Sequence, residues 1–124
     1  MSMIETPLMR GLEHVLDVSA FRHQVIATNL ANVDTPGYRT RDVREFAGAV
    51  ETAMNSDGAV DGGSFAPVSH EIRGLLERPD GNNVSVDRES LLLAQNQLRF
   101  QVAVQFLKAE FHRLSNAING GSTS

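Results

Sequence analysis

Apolar residues crowd towards the two ends of this chain and recur there at helical spacing. Near the N-terminus they run through Leu8, Leu12, Val15, Leu16, Ile26 and Leu30, which predicts a helix over residues 7–33 with Pro7 in its first turn, where a missing N–H costs nothing. A seam drawn through Leu16, Ile26 and Leu30 meets polar side chains at Ser19, Arg22 and His23. Such a helix packs against more than one neighbour, or imperfectly against one. Pro36 then biases Thr35 away from helical angles, and Pro36-Gly37 fill the central positions of a type II turn, so residues 34–41 are expected to redirect the chain.

Asp42 with Glu45 resembles a capping box. Val43, Phe46, Val50 and Met54 would share one face, predicting a short helix over 42–54. Residues 55–69 hold three glycines, three serines and two aspartates, with Phe65 the only large apolar side chain. Such a stretch cannot offset its own ordering entropy. With the turn-forming Pro79-Asp80-Gly81-Asn82-Asn83 after it, a flexible or extended connector is expected over 55–86. The last element, 87–119, carries the strongest period in the chain. Asp87 is placed to cap it, with Val86 and Leu91 as a hydrophobic staple. Leu93, Gln97, Phe100, Val104, Leu107, Phe111, Leu114 and Ile118 follow steps of four and three, a coiled-coil seam. Leu91, Leu98, Val102 and Ala109 widen the apolar face beyond one seam, which favours a partner on each side.

The fold class that follows is all-α: two long terminal helices packed as a coiled-coil-like hairpin, with a short helix and a flexible extended middle, ordered mainly on assembly. The hydrophilic middle cannot cover the wide apolar surface of the last helix, and exposed apolar surface of that extent marks an interaction site. The candidate assembly interface comprises Leu12, Leu16, Ile26, Asn29, Leu30, Asn32, Leu93, Phe100, Val104, Leu107, Phe111, Leu114 and Ile118. Asn29 and Asn32, near the end of an apolar helix, either cap it locally or bond across to another subunit. Tyr38, the only tyrosine, is read as closing the turn.

Composition removes other classes. Eleven basic against fifteen acidic residues give a net charge of -4, with no electrostatic reason to expect nucleic acid or an anionic membrane as partner. Without cysteine there are no disulfides or thiolate sites, and compartment stays open on that ground. Residues 1–10 do not read as a cleaved secretory signal. No apolar run approaches the roughly 20 residues a transmembrane helix needs. His14, His23, His70 and His112 lack metal-binding spacing, and no nucleophile elbow, phosphate loop or dinucleotide fingerprint is present. No catalytic residue, cofactor or metal is therefore expected, and the chain does not read as an enzyme.

The segment Ala27-Thr28-Asn29-Leu30-Ala31-Asn32-Val33-Asp34-Thr35-Pro36-Gly37-Tyr38, followed by Arg41-Asp42-Val43, resembles the N-terminal signature of the flagellar axial proteins, in the form found in proximal rod subunits. A second stretch, Pro79 to Val84 with Asp87-Arg88-Glu89 and Asn96 to Gln101, is similar to the C-terminal part of the same family. The resemblance implies a non-enzymatic subunit of the flagellar basal body, exported through the flagellar type III apparatus without signal cleavage and polymerised into the periplasmic rod. It implies as partners copies of itself, other rod subunits, a FliE-type adaptor and the inner-membrane ring, and assigns Asp34, Thr35, Pro36, Gly37 and Tyr38 to the signature turn. The competing reading of the same helices is a soluble coiled-coil adaptor or export chaperone that forms a closed oligomer.

Overall fold

The computed structural model describes residues 6–43 and 67–120. Helix α1 spans Pro7–Ala31. Thr6 caps it, its hydroxyl oxygen accepting from Met9 N at 3.1 Å, and Pro7 fills the first helical position. At the other end Asn32 N donates to Thr28 O at 3.1 Å, and the Asn32 side-chain amide donates to the same oxygen at 2.8 Å. The chain then turns: Tyr38 N donates to Thr35 O at 3.2 Å, with Gly37 at φ 75°, the positive angle a type II turn requires of its third residue.

Two short strands follow, β1 (Arg41–Val43) and β2 (Ser69–Glu71). They are antiparallel, with Arg41 opposite Glu71, Asp42 opposite His70 and Val43 opposite Ser69. The periodicity held no sign of this pair. It also corrects the start of the expected short helix: Asp42 and Val43 are extended, and the Asp42 carboxylate is held by Arg22 rather than by a helix start. Residues 44–54 of that expectation lie outside the described residues. Helix α2 spans Val86–Gly120. Its cap is Ser85, whose hydroxyl accepts from Arg88 N at 3.3 Å while its carbonyl accepts from Glu89 N at 2.9 Å. The expected Asp87 cap thus moves two residues back and leaves Asp87 in the first turn, where its charge favours the helix dipole. Val86 and Leu91 are both exposed.

The helices run antiparallel. Asn29 meets Glu89, Ser19 meets Asn96, and Thr6 meets Glu110, so at 1.5 Å per residue α2 extends about 15 Å past the start of α1. The buried apolar residues are Met9, Val18 and Ile26 of α1, Ala103 of α2, Val43 of β1 and Val84. Among the described residues no helix is long and apolar enough to cross a membrane.

The most deeply buried line of α2 lies beside the predicted seam, whose Leu93, Val104, Leu107 and Leu114 are half-buried. Its buried members are Glu89, Asn96, Ala103 and Glu110, spaced seven apart. A heptad makes two turns, about 103° per residue. The stripe through Leu93, Phe100, Val104, Leu107 and Phe111 therefore lies about 75° round the helix. Two members of the covered line bond directly to α1: Glu89 accepts from the Asn29 amide and the Asn96 amide donates to Ser19 O.

Candidate functional site

Where the C-terminal half of α1 meets β1 and the first turns of α2, the chain builds a buried polar node. Its centre is Asn29, 0% exposed. The Asn29 amide nitrogen donates to Arg41 O at 2.8 Å and to Glu89 Oε2 at 3.0 Å. Its oxygen accepts from the Tyr38 hydroxyl at 2.9 Å and from Arg41 N at 3.1 Å. Every donor and acceptor of the amide is thus used within the chain. Burial pushes the Tyr38 phenol above its ordinary pKa, with Arg41 opposing and Glu89 adding to the shift.

Charge is balanced around this amide. Arg22 grips Asp42 through two parallel bonds of 2.9 and 3.0 Å. Arg88 spans the two carboxylates, 2.8 Å from Glu89 Oε1 and 3.9 Å from Asp42 Oδ2. Bidentate guanidinium contacts fix direction as well as distance. A buried pair of this kind contributes little net stability compared with apolar packing, but leaving one partner alone is costly. The node therefore specifies how α1, β1 and α2 meet more than it strengthens them.

A second set of bonds staples the two turns together. The Asn82 amide donates to Asn32 O at 2.9 Å and Thr35 O at 2.8 Å, adding a second donor to carbonyls already bonded within the turn by Thr35 N and Tyr38 N. Arg78 reaches Val33 O, and Gly37 N donates to Asp80 O at 2.9 Å. Thr40 is held from both sides of its backbone: its N donates to Asn83 Oδ1 at 2.6 Å and its carbonyl accepts from Ile72 N at 2.9 Å. Residues 78–85, the last part of the expected flexible or extended connector, are held by these bonds, with Asn82, Asn83 and Val84 buried. The two stretches that carry the flagellar resemblance dock directly on each other.

The other predicted site residues distribute as follows. Ile26 is buried in the hairpin. Leu12, Leu16, Leu30, Leu93, Val104, Leu107 and Leu114 are half-buried along its edges. Phe100, Phe111 and Ile118 face outward, the last two 59% and 62% exposed. Asn29 is enclosed, and Asn32 caps α1 with its oxygen accepting from the Thr35 hydroxyl at 3.0 Å. Asn32 thus caps α1 locally, whereas Asn29 does not cap the helix but bonds across the fold to Arg41 and Glu89. Asp34, Thr35, Pro36 and Gly37 form an exposed tip above Tyr38. On the far side of α2, about 50° to 155° from the covered line by heptad geometry, Leu91, Leu98, Val102 and Phe106 make a second outward face. Between the ends of the helices Met9, Leu107, Phe111 and Ser115 line an open groove.

A family model described as flagella basal body rod protein matches residues 22–39, from the arginine that grips Asp42 to the residue after Tyr38. The flagellar basal body rod protein FlgB of Bacillus subtilis is 30% identical over 122 residues, covering 91% of this chain and 94% of the relative. The chain belongs to the FlgB family of flagellar basal body rod proteins. The FlgB proteins of Escherichia coli and Salmonella typhimurium are each 28% identical over 130 residues, covering 92% of this chain and 94% of the relative.

In this rod subunit the residues that sequence reasoning missed are polar: Arg22, Asp42, Glu89, Asn82, Asn83 and the Ser19–Asn96 pair. One signal was present. The break in α1's apolar pattern at Ser19 and Arg22 marks the positions that meet Asn96 and Asp42. Nothing local identified their partners, which lie 77 and 20 residues away.

Proposed function

We infer that this chain is a structural subunit, not an enzyme, of the proximal rod of the bacterial flagellar basal body, polymerising by helix packing into a helical tube that transmits torque and conducts exported proteins. The observation that carries the reading on the structural side is α2. Its covered line is narrow, and outward faces flank it on both sides, Phe100, Phe111 and Ile118 on one and Leu98, Val102 and Phe106 on the other. Outward apolar faces on both sides of one helix suit an array of parallel neighbours better than a closed pair, and contacts that do not close generate filaments.

Under this reading the neighbours are copies of the chain, other rod subunits, the FliE-type adaptor and the inner-membrane ring. The chain reaches the periplasm through the flagellar type III export apparatus without signal cleavage, and its helices order fully as neighbours cover them. Leu93, Phe100, Val104, Leu107, Phe111, Leu114 and Ile118 of α2, with Leu12, Leu16 and Leu30 of α1, supply the interface.

Phe111→Asp tests this. The side chain is 59% exposed, so the isolated subunit should lose no more than about 0.5 kcal/mol, as for ordinary surface substitutions. Export should continue and motility should be lost, because a carboxylate buried against a neighbour costs several kcal/mol. A motile strain carrying the variant at normal levels refutes the interface. A discrete closed dimer of the wild-type chain in sedimentation would favour the adaptor or chaperone reading.

A further inference from the structure

Left to apolar burial alone, α1 would settle on α2's richest stripe, the line of Leu93, Phe100, Val104, Leu107 and Phe111. It sits instead on a line whose members are Glu89, Asn96, Ala103 and Glu110. Three contacts spread along the hairpin impose this choice. At one end Glu89 accepts from the Asn29 amide at 3.0 Å. In the middle the Asn96 amide donates to Ser19 O at 2.8 Å. At the other end Glu110 lies beside the Thr6 hydroxyl and is held by Arg113 at 2.6 Å. The anchors span 21 residues of α2, about 32 Å at 1.5 Å per residue, so rotating α2 against α1 breaks all three together.

The middle anchor is the informative one. Asn96 is 1% and Ser19 0% exposed, yet Asn96 Oδ1 and Ser19 Oγ have no hydrogen-bond partner. Buried polar atoms without partners are destabilising. An apolar residue at position 96 would extend the apolar surface under α1 and remove the unpartnered atom. A polar residue kept at a helical seam at a cost in stability fixes register and excludes alternative packings.

We propose that Asn96, paired with Ser19, is a rotational lock that keeps α1 to one side of α2's own apolar stripe, where Leu93, Val104 and Leu107 are only half-buried, and so leaves the stripe's outward edge, Phe100 and Phe111, for other subunits. Asn96 is on this view a positioning residue: it touches no neighbour, but sets which face of α2 neighbours meet. Its purpose rests on the assembly function inferred above, whereas its effect on the isolated hairpin does not.

The test uses the full chain carrying Asn96→Leu together with Ser19→Ala, and separately Asn96→Ala, which removes the amide without adding bulk. Urea unfolding, binding of an apolar-surface dye and residue-resolved hydrogen exchange are followed on each isolated subunit, and motility in a strain lacking the native protein. The lock predicts that the double variant unfolds at higher urea, binds several-fold less dye and gains exchange protection from Phe100 to Phe111, while motility falls. Asn96→Ala should shift protection the same way to a smaller extent. If neither variant changes dye binding or protection along that stretch, Asn96 is an ordinary seam amide and the lock is overturned. If dye binding falls and protection rises while motility is unchanged, the lock acts as stated but the stripe is not an assembly surface. That result overturns the inferred interface instead.

Discussion

Replacing the Asn29 amide by a carboxylate of the same shape isolates the chemistry of the node from its packing. Asn29→Asp keeps an acceptor towards Tyr38 and Arg41 N but turns the two donor contacts, to Arg41 O and to Glu89 Oε2 at 3.0 Å, into oxygen facing oxygen. Two unit charges about 4 Å apart at an effective dielectric constant near 20 repel by about 4 kcal/mol. Against a typical domain stability of about 5–15 kcal/mol, that removes much of what holds the turn end together. Asn29→Ala loses the same bonds without adding charge. At about 1 kcal/mol for each bond whose remaining partner can reach water, and more for those that cannot, it should cost about 3–4 kcal/mol.

The two variants separate by pH. Repulsion from Glu89 raises the pKa of the new carboxyl above the ordinary aspartate value of about 3.9. A raised folded-state pKa means the folded chain holds the proton more tightly. The stabilising effect of that proton is complete below the unfolded pKa and is lost as pH rises towards the folded one. Between those values Asn29→Asp should recover about 1.4 kcal/mol relative to wild type per unit of acidification, since a protonated carboxyl can again donate to Glu89 or to Arg41 O. Asn29→Ala should show no such relative recovery. Urea titrations followed by far-UV circular dichroism from about pH 7.5 to 5 measure both. Asn29→Asp within about 1 kcal/mol of wild type at pH 7.5, or parallel pH curves for the two variants, would show that the amide does not sit between Arg41 and Glu89 as described.

The paired turns and the far end of the hairpin supply two more expectations. At Gly37, φ is 75° with nothing within 4 Å of an added Cβ, so Gly37→Asn should cost well under the roughly 1 kcal/mol or more of a β-branched Gly37→Val. Gly81→Ala should cost more than Gly37→Ala, because its Cβ would also come within 3.4 Å of Gly37 Cα; equal unfolding midpoints would contradict the docking of the turns. Arg113 beside Glu110, with the Thr6 hydroxyl, holds that carboxyl below its ordinary value of 4.5. A depressed folded-state pKa adds stability above the unfolded value that is lost as pH falls through the folded one, so protection at the start of α1 should drop below about pH 4.5, and the drop should be absent in Glu110→Gln.

What the sequence made legible was what is local. Pro7, Pro36-Gly37 and the four-three period from Leu93 to Ile118 each act within a turn or two of helix, and they placed both helices and the bend between them. The strand pair escaped because three residues on each side are too few to show alternation, and Asp42-Val43-Arg44-Glu45 fits a helix start as well as an edge strand. Rotation of α2 escaped for a deeper reason. Periodicity shows that a face will be covered, not by what, and the stripe from Leu93 to Ile118 is split, with Leu93, Val104, Leu107 and Leu114 half-buried and Phe100, Phe111 and Ile118 facing outward. Asn29 and Asn32 were ambiguous because an amide satisfied within the chain and one satisfied across an interface look alike until the acceptors are located.

A subunit that must join a filament faces a conflict if apolar area drives both its own folding and its assembly. The same side chains would then compete for two partners, and the intramolecular one, always at hand, would win. Here the described residues leave more large apolar side chains outside than inside: Leu91, Leu98, Phe100, Val102, Phe106, Phe111 and Ile118 of α2 alone exceed the buried set of Met9, Val18, Ile26, Val43, Val84 and Ala103 in both number and bulk. The internal geometry is carried instead by bonds with direction, the Arg22–Asp42 fork, the four-way Asn29 amide and the Asn82 staple. Such bonds contribute modest net stability but tolerate only one arrangement. If the outward faces of α2 meet neighbours as proposed above, a polar interior suits a rod subunit: it defines the shape of the monomer and leaves the hydrophobic effect to act between subunits.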